Sequence, residues 1–166
     1  MAHSRRLLES KSGMGRWLRS TNITGSAWAR FVDSKLCEVG IRREGELYPS
    51  PRLTLVVLIE MPRWYPREHN IDVNDLLDLA VVVGEIRNQY LYCLEVEFVF
   101  PRTWKGTVPK KIMSQRILDA LTSEEVARLP RRPRAGKKTD ASAYDDNILD
   151  AAGQGLWKLG RLHGAA

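Results

Sequence analysis

An α+β fold is what this sequence predicts: a single compact domain in which a small, mostly antiparallel sheet packs against helices, with a flexible basic N-terminal arm and a C-terminal tail. Three observations predict it. Two β-rich runs, LTLVVLIE from Leu53 and LYCLEVEFVF from Leu91, bracket the helix-like stretch NIDVNDLLDLAVVVGEI, and nothing else in the chain is as dense in core-forming residues. A length of 166 residues accommodates one ordinary domain rather than two independent cores. The composition, 43% hydrophobic and 28% charged, sits near globular averages, so the chain can bury a core.

Taken in order, residues 1–26 read as a basic arm, rich in Ser, Gly, Arg and Thr, in which Arg5, Arg6, Lys11, Arg16 and Arg19 surround Trp17. The core domain is placed at 27–129. Its first stretch, WARFVDSKLCEV, repeats apolar residues at three and four and favours an amphipathic helix, although its β-branched and aromatic content also suits a strand. IRREGELYPSP is a turn marked by Gly45, Pro49 and Pro51. LTLVVLIE, closed off by Pro51 and Pro62, suits a strand buried on both faces.

MPRWYPREHN is a loop, because Pro62 and Pro66 each remove a backbone donor and bias the preceding residue away from helix. It carries Arg63, Trp64, Tyr65 and Arg67, residue types that anchor protein interfaces, beside the alternative that Trp64 closes over the core. Asn70 or Asp72 caps a helix whose buried stripe is Leu76, Leu79, Ala80 and Val83, with Gly84 weakening its end. In the second β-rich run Leu91, Cys93, Val96, Phe98 and Phe100, with Leu94 as a further candidate, alternate against Glu95, Glu97 and Val99, the pattern of a half-buried strand.

RTWKGTVPKK then reads as a basic loop with Trp104 as a second interface anchor. Ile112 to Leu121 forms a helix burying Met113, Ile117, Leu118 and Leu121, and Thr122 with Glu125 has the spacing of a capping box. From residue 130 to 166 a basic linker, LPRRPRAGKKT, leads to a weakly helical tail. Gly153 and Gly155 each cost that helix about 1 kcal/mol, so it needs a partner to order.

The net charge of +6 is unevenly spread: residues 1–20 carry +4, 21–101 carry −4, 102–138 carry +8 and 139–166 carry −2. Basicity therefore sits in the flanks, where it meets phosphates or anionic headgroups. The candidate polyanion contacts are Arg5, Arg6, Arg16 and Arg19 in the arm, Lys105, Lys110 and Lys111 after the core strand, and Arg131, Arg132, Arg134, Lys137 and Lys138 in the linker.

Cys37 and Cys93 give no disulfide framework, and each sits in an apolar context, so an intracellular reducing compartment, cytoplasm or nucleus, is expected. No run of about 18 apolar residues or secretory h-region is present. No zinc spacing, phosphate loop, dinucleotide fingerprint or nucleophile elbow is present either, so no catalytic residue, metal site or cofactor is expected. Asp72, Asp75 and Asp78 share a helix face that could bridge a divalent cation, or they answer the helix dipole, which is the reading adopted.

Two family resemblances attach to these residues. The order of strand, Met61-Pro62, Arg-bearing loop and Asp72-Val73-Asn74-Asp75-Leu76-Leu77 resembles the RusA-type Holliday-junction resolvases. That resemblance implies metal-dependent cleavage of DNA junctions with Asp72 as the first metal ligand; Asn74 stands where the family has a further acid. The whole pattern of a basic arm, a compact α+β domain and Arg- and Trp-bearing loops is similar to the matrix proteins of negative-strand RNA viruses, particularly the short rhabdovirus type. It implies a non-enzymatic structural protein of virion assembly, located in the virion. Such a protein self-associates as a homo-oligomer and bridges nucleic acid or ribonucleoprotein, with an anionic membrane surface as a further partner. No Pro-Pro-x-Tyr budding motif accompanies it.

Overall fold

The computed structural model describes residues 25–43, 46–47, 56–61 and 73–162. In chain order these form strands β1 (Gly25–Val32), β2 (Lys35–Arg43) and β3 (Val56–Glu60), helix α1 (Val73–Gln89), β4 (Glu95–Val99), and helices α2 (Pro101–Lys105), α3 (Lys110–Ala120) and α4 (Ser123–Val126). A 3-10 turn (Ala141–Ala143) and α5 (Asp146–Lys158) complete them. The class is α+β, with one two-stranded sheet joining β1 to β2 and another joining β3 to β4. Contacts gather the chain into two compact units, one around β3, α1 and β4, the other from Ser26–Arg42 and from Pro101 onward.

In the first unit, β3 pairs with β4 in parallel, Val56 opposite Glu95 through Glu60 opposite Val99, and Met61 N donates to Val99 O at 2.9 Å. Parallel neighbours require a crossover, which α1 supplies. Among the described residues, Ile59, Val83, Tyr90 and Val99 are its buried apolar side chains. The alternation expected for β4 is shifted. Residues 91–94 are turn, Val99 is 2% exposed, and Phe98 and Phe100 keep 42% and 40%. Both faces of that run carry apolar residues, so periodicity alone does not say which face is buried. On α1 the covered side is Leu79, Val83 and Ile86, with Tyr90 just past its end; Ala80, expected inside, is exposed, and the side chain of Leu76 lies outside the described ones.

In the second unit, the stretch expected as a helix, WARFVDSKLCEV, is the β1–β2 hairpin. Aromatic and β-branched side chains lose χ1 freedom in a helix and pack well on a pleated strand. Asp33 and Ser34 take φ of 49° and 64°, the left-handed pair that a two-residue hairpin turn requires. The Trp28 ring lies over Gly40, where a Cβ would come within 2.7 Å of Cζ2. Leu36 is fully buried.

The helices close over Leu36 and a second large side chain, Trp104, which is 0% exposed. The expected stripe of α3 is present, with Met113, Ile117 and Leu118 buried and Leu121 following. Residues 130–162, expected as linker and weak tail, are instead built into this unit. Asp145 caps α5 through Asn147 N at 2.9 Å and Ile148 N at 3.4 Å, and Ile148, Leu149, Ala152 and Leu156 are buried. The two glycines that weaken the helix are contact points: a Cβ on Gly153 would stand 2.6 Å from Ile117 Cδ1 and 2.8 Å from Trp104 Cζ3, and one on Gly155 would overlap the Phe31 ring. Close packing offsets their propensity cost, so no outside partner is needed to order α5.

Among the described residues no helix is long and apolar enough to cross a membrane.

Candidate polyanion-binding surface

The second unit is held together by a carboxylate that sequence reasoning saw only as a helix cap. Thr122 and Glu125 form the expected capping box, with Thr122 N donating to Glu125 Oε2 at 2.8 Å and Glu125 N donating to Thr122 Oγ1 at 3.3 Å. Glu125 is 3% exposed and does more than cap. Leu36 N of β2 donates to its Oε1 at 2.7 Å, and Arg161 donates Nη1 to Oε1 and Nη2 to Oε2, each at 2.7 Å. The same guanidinium donates to Ser34 O at 2.8 Å and Ala120 O at 2.9 Å.

Arg161 is delivered there by the end of α5. Gly160, at φ 70°, lets Arg161 N return to Leu156 O at 2.9 Å, the 6→1 bond of a Schellman turn. The Arg161 fork is the main cause that holds the Glu125 carboxyl down to about 2, with the Thr122 and Leu36 amides adding to it against the effect of burial. Arg128 adds Nη1 bonds to Leu36 O at 3.0 Å and Cys37 O at 3.2 Å. Hairpin, helices and chain end thus share one hub.

On this frame several of the basic residues have partners within the unit, and Arg131, Arg132 and Lys110 remain exposed as well. Trp104, expected as an interface anchor, is core, because α2 forms where a loop was expected and turns the indole inward. Lys105 lies 4.9 Å from the Trp104 ring centroid and 3.4 Å from Asp150, whose carboxyl burial pushes up against the pull of Lys105 and Lys110. Arg132 meets Asp146 at 3.2 Å, with Lys110 at 4.0 Å from the same oxygen. The Arg131 guanidinium carbon lies 5.7 Å from the Tyr144 ring centroid, and Arg131 donates to Gly136 O and Lys138 O.

Lys111, Arg134, Lys137 and Lys138 are exposed, as is Lys110. Lys111 and Lys138 come from separate stretches of sequence but act on one carboxylate. Asp140 is lowered chiefly by the Ser142 hydroxyl, and Lys138 and Lys111 lower it further. Gln115 fixes this neighbourhood by accepting from Ala141 N at 3.1 Å. The exposed cations of this unit can meet phosphates, each neutralised charge releasing a counterion.

Arg5, Arg6, Arg16 and Arg19, the loop residues Arg63, Trp64, Tyr65 and Arg67, and Asp72 lie outside the described residues. Among the described residues no group of three His, Cys, Asp or Glu side chains is placed to hold a metal ion, and Cys37 and Cys93 are free thiols. Burial raises the Cys93 thiol above its ordinary range. No family model, curated protein or solved structure matches the chain.

Proposed function

We propose that this chain is a non-enzymatic assembly protein, matrix-like in role, that self-associates and binds a phosphate-bearing polyanion, nucleic acid or ribonucleoprotein, through the second unit. One observation carries the reading: Ala141 N donates to Gln115 Oε1 at 3.1 Å, which ties the helix carrying exposed Lys110 and Lys111 to the stretch that follows exposed Arg134, Lys137 and Lys138. Ala135 and Tyr144 are buried in the unit while Ile112, beside Lys111, is 50% exposed, so the vesicle arm of the test below reads an anionic membrane surface as the alternative polyanion.

Self-association has its own support in the first unit. Leu77 and Val81, one turn apart on α1, are 60% and 59% exposed, and space is open over Gly84 further along the same face. Exposed Glu85 and Arg87 flank that face on opposite sides, so two copies related by a two-fold axis along the helix set opposite charges on facing flanks. The occupant of this face is a second copy of this chain.

The test is a salt titration of binding to labelled RNA and DNA, with anionic and neutral vesicles in parallel. Lys111→Ala combined with Lys138→Ala lowers the slope of log K against log salt by about 0.9 for each phosphate left without its cation. Salt-independent binding, or none, refutes the reading, and magnesium-dependent cleavage of branched DNA replaces it with the resolvase alternative. Mass in solution reads self-association, which Val81→Glu abolishes.

A further inference from the structure

We infer that residues 131–138 form a preshaped phosphate-binding loop in which Arg131 is a positioning residue, while Arg134, Lys137 and Lys138, joined by Lys111 of α3, meet the phosphodiester backbone of a nucleic acid. The inference rests on the polyanion reading above and deepens it.

The loop is closed at its base, where Arg131 and Tyr144 form an antiparallel bridge and Arg132 N donates to Ala143 O at 2.8 Å. Two successive turns follow, Ala135 N to Arg132 O at 2.9 Å and Lys138 N to Ala135 O at 3.2 Å. Ala135 is 6% exposed and pins the loop to the unit, and Gly136, at φ 58°, makes the reversal that an L side chain resists.

Arg131, itself exposed, bridges the loop's backbone. Its Nη2 donates to both the Gly136 and Lys138 carbonyls, and the guanidinium carbon lies 5.7 Å from the Tyr144 ring centroid. An arginine whose Nη2 group is engaged by two backbone carbonyls and whose cation sits near a Tyr ring serves the loop first. The charges it leaves at the rim are Arg134, Lys137 and Lys138, all exposed. A lysine at 131 keeps the charge and loses the planar fork, which separates positioning from charge.

The experiment compares the full chain with Arg131→Lys and with the Lys137→Ala/Lys138→Ala pair, using anisotropy of a labelled oligouridylate across a salt series and limited trypsin cleavage after Arg134 and Lys137. Arg131→Lys is expected to weaken binding about tenfold near 0.1 M salt, the effect of one or two phosphates going without a cation, and to speed cleavage after both residues. The lysine pair, altered only at exposed positions, weakens binding without speeding cleavage after Arg134, and keeps the site testable should Arg131→Lys fail to fold.

Wild-type affinity and cleavage in Arg131→Lys overturn the positioning role. Weakened binding with unchanged cleavage also overturns it, since the fork then touches phosphate directly. Binding to anionic vesicles but not to RNA overturns the nucleic-acid class. Binding to neither sinks the polyanion reading itself, and the cleavage result is then what separates that failure from a failure of the Arg131 role.

Discussion

Replacing Glu125 by Gln tests the hub of the second unit. The carboxylate receives four donors, Leu36 N, Thr122 N and both Arg161 Nη groups, at 2.7 to 2.8 Å, and its side chain is 4% exposed. An amide of the same shape keeps one acceptor and points an NH2 at donors, leaving the partly buried Arg161 without a counter-charge. Removing one partner of such a pair costs about 3 to 5 kcal/mol. The pKa gives a second route to the magnitude: a fall from 4.5 to about 2 corresponds to on the order of 3 kcal/mol at roughly 1.4 kcal/mol per unit.

Urea unfolding at pH 7, followed by tryptophan fluorescence, reads the destabilisation. The folded pKa is depressed, so this stabilisation is fully present above pH 4.5 and fades as pH falls from 4.5 towards about 2. The gap between wild type and Glu125→Gln therefore narrows over that window. A cost below about 1 kcal/mol at pH 7, or a gap that does not change with acid, refutes the hub. The double variant Glu125→Leu with Arg161→Met should be less harmful than the sum of its parts, because no buried charge is stranded.

Two glycines give opposite outcomes for one substitution. Gly84→Ala, with open space above it in α1, stabilises by about 0.5 to 1 kcal/mol, whereas Gly153→Ala meets Ile117 and Trp104 and costs about 1 to 3 kcal/mol despite the same propensity gain; thermal melting decides both. Asp150 is the converse of Glu125. Burial is the largest influence on its carboxyl and raises its pKa, so the charged form is a burden that grows as pH rises through that raised value. Asp150→Asn is expected to leave stability at pH 7 unchanged within about 1 kcal/mol or to increase it, and a large loss shows that Lys105 pairing dominates instead.

Local signals are legible where local physics decides. The α3 stripe and the Thr122–Glu125 capping box follow from spacing alone, because the groups that satisfy them lie within a turn or two. The hairpin is not legible in this way, because WARFVDSKLCEV meets both a helical and a strand pattern, and the Asp33-Ser34 turn is a weaker signal than Asn-Gly. The tail misleads because Gly153 and Gly155 look like helix weakness until Ile117, Trp104 and Phe31 are seen against them. The excess of positive charge in residues 102–138 is visible in the sequence; which cations are consumed internally is not.

The sequence by itself determined the α+β class, the buried face of α3 and the concentration of positive charge after Pro101, since composition, period and charge need no knowledge of neighbours. Tertiary structure alone decided that β3 and β4 run parallel, that Trp104 is core, and that Arg131 bonds a loop's carbonyls while Lys111 and Lys138 remain exposed. It also turned Glu125 from a helix cap into the hub for Leu36 and Arg161, which lie 89 and 36 residues away along the chain. The physical reason is common to all of these: the partner that fixes each side chain's role is distant in sequence, and only packing brings it within hydrogen-bonding reach.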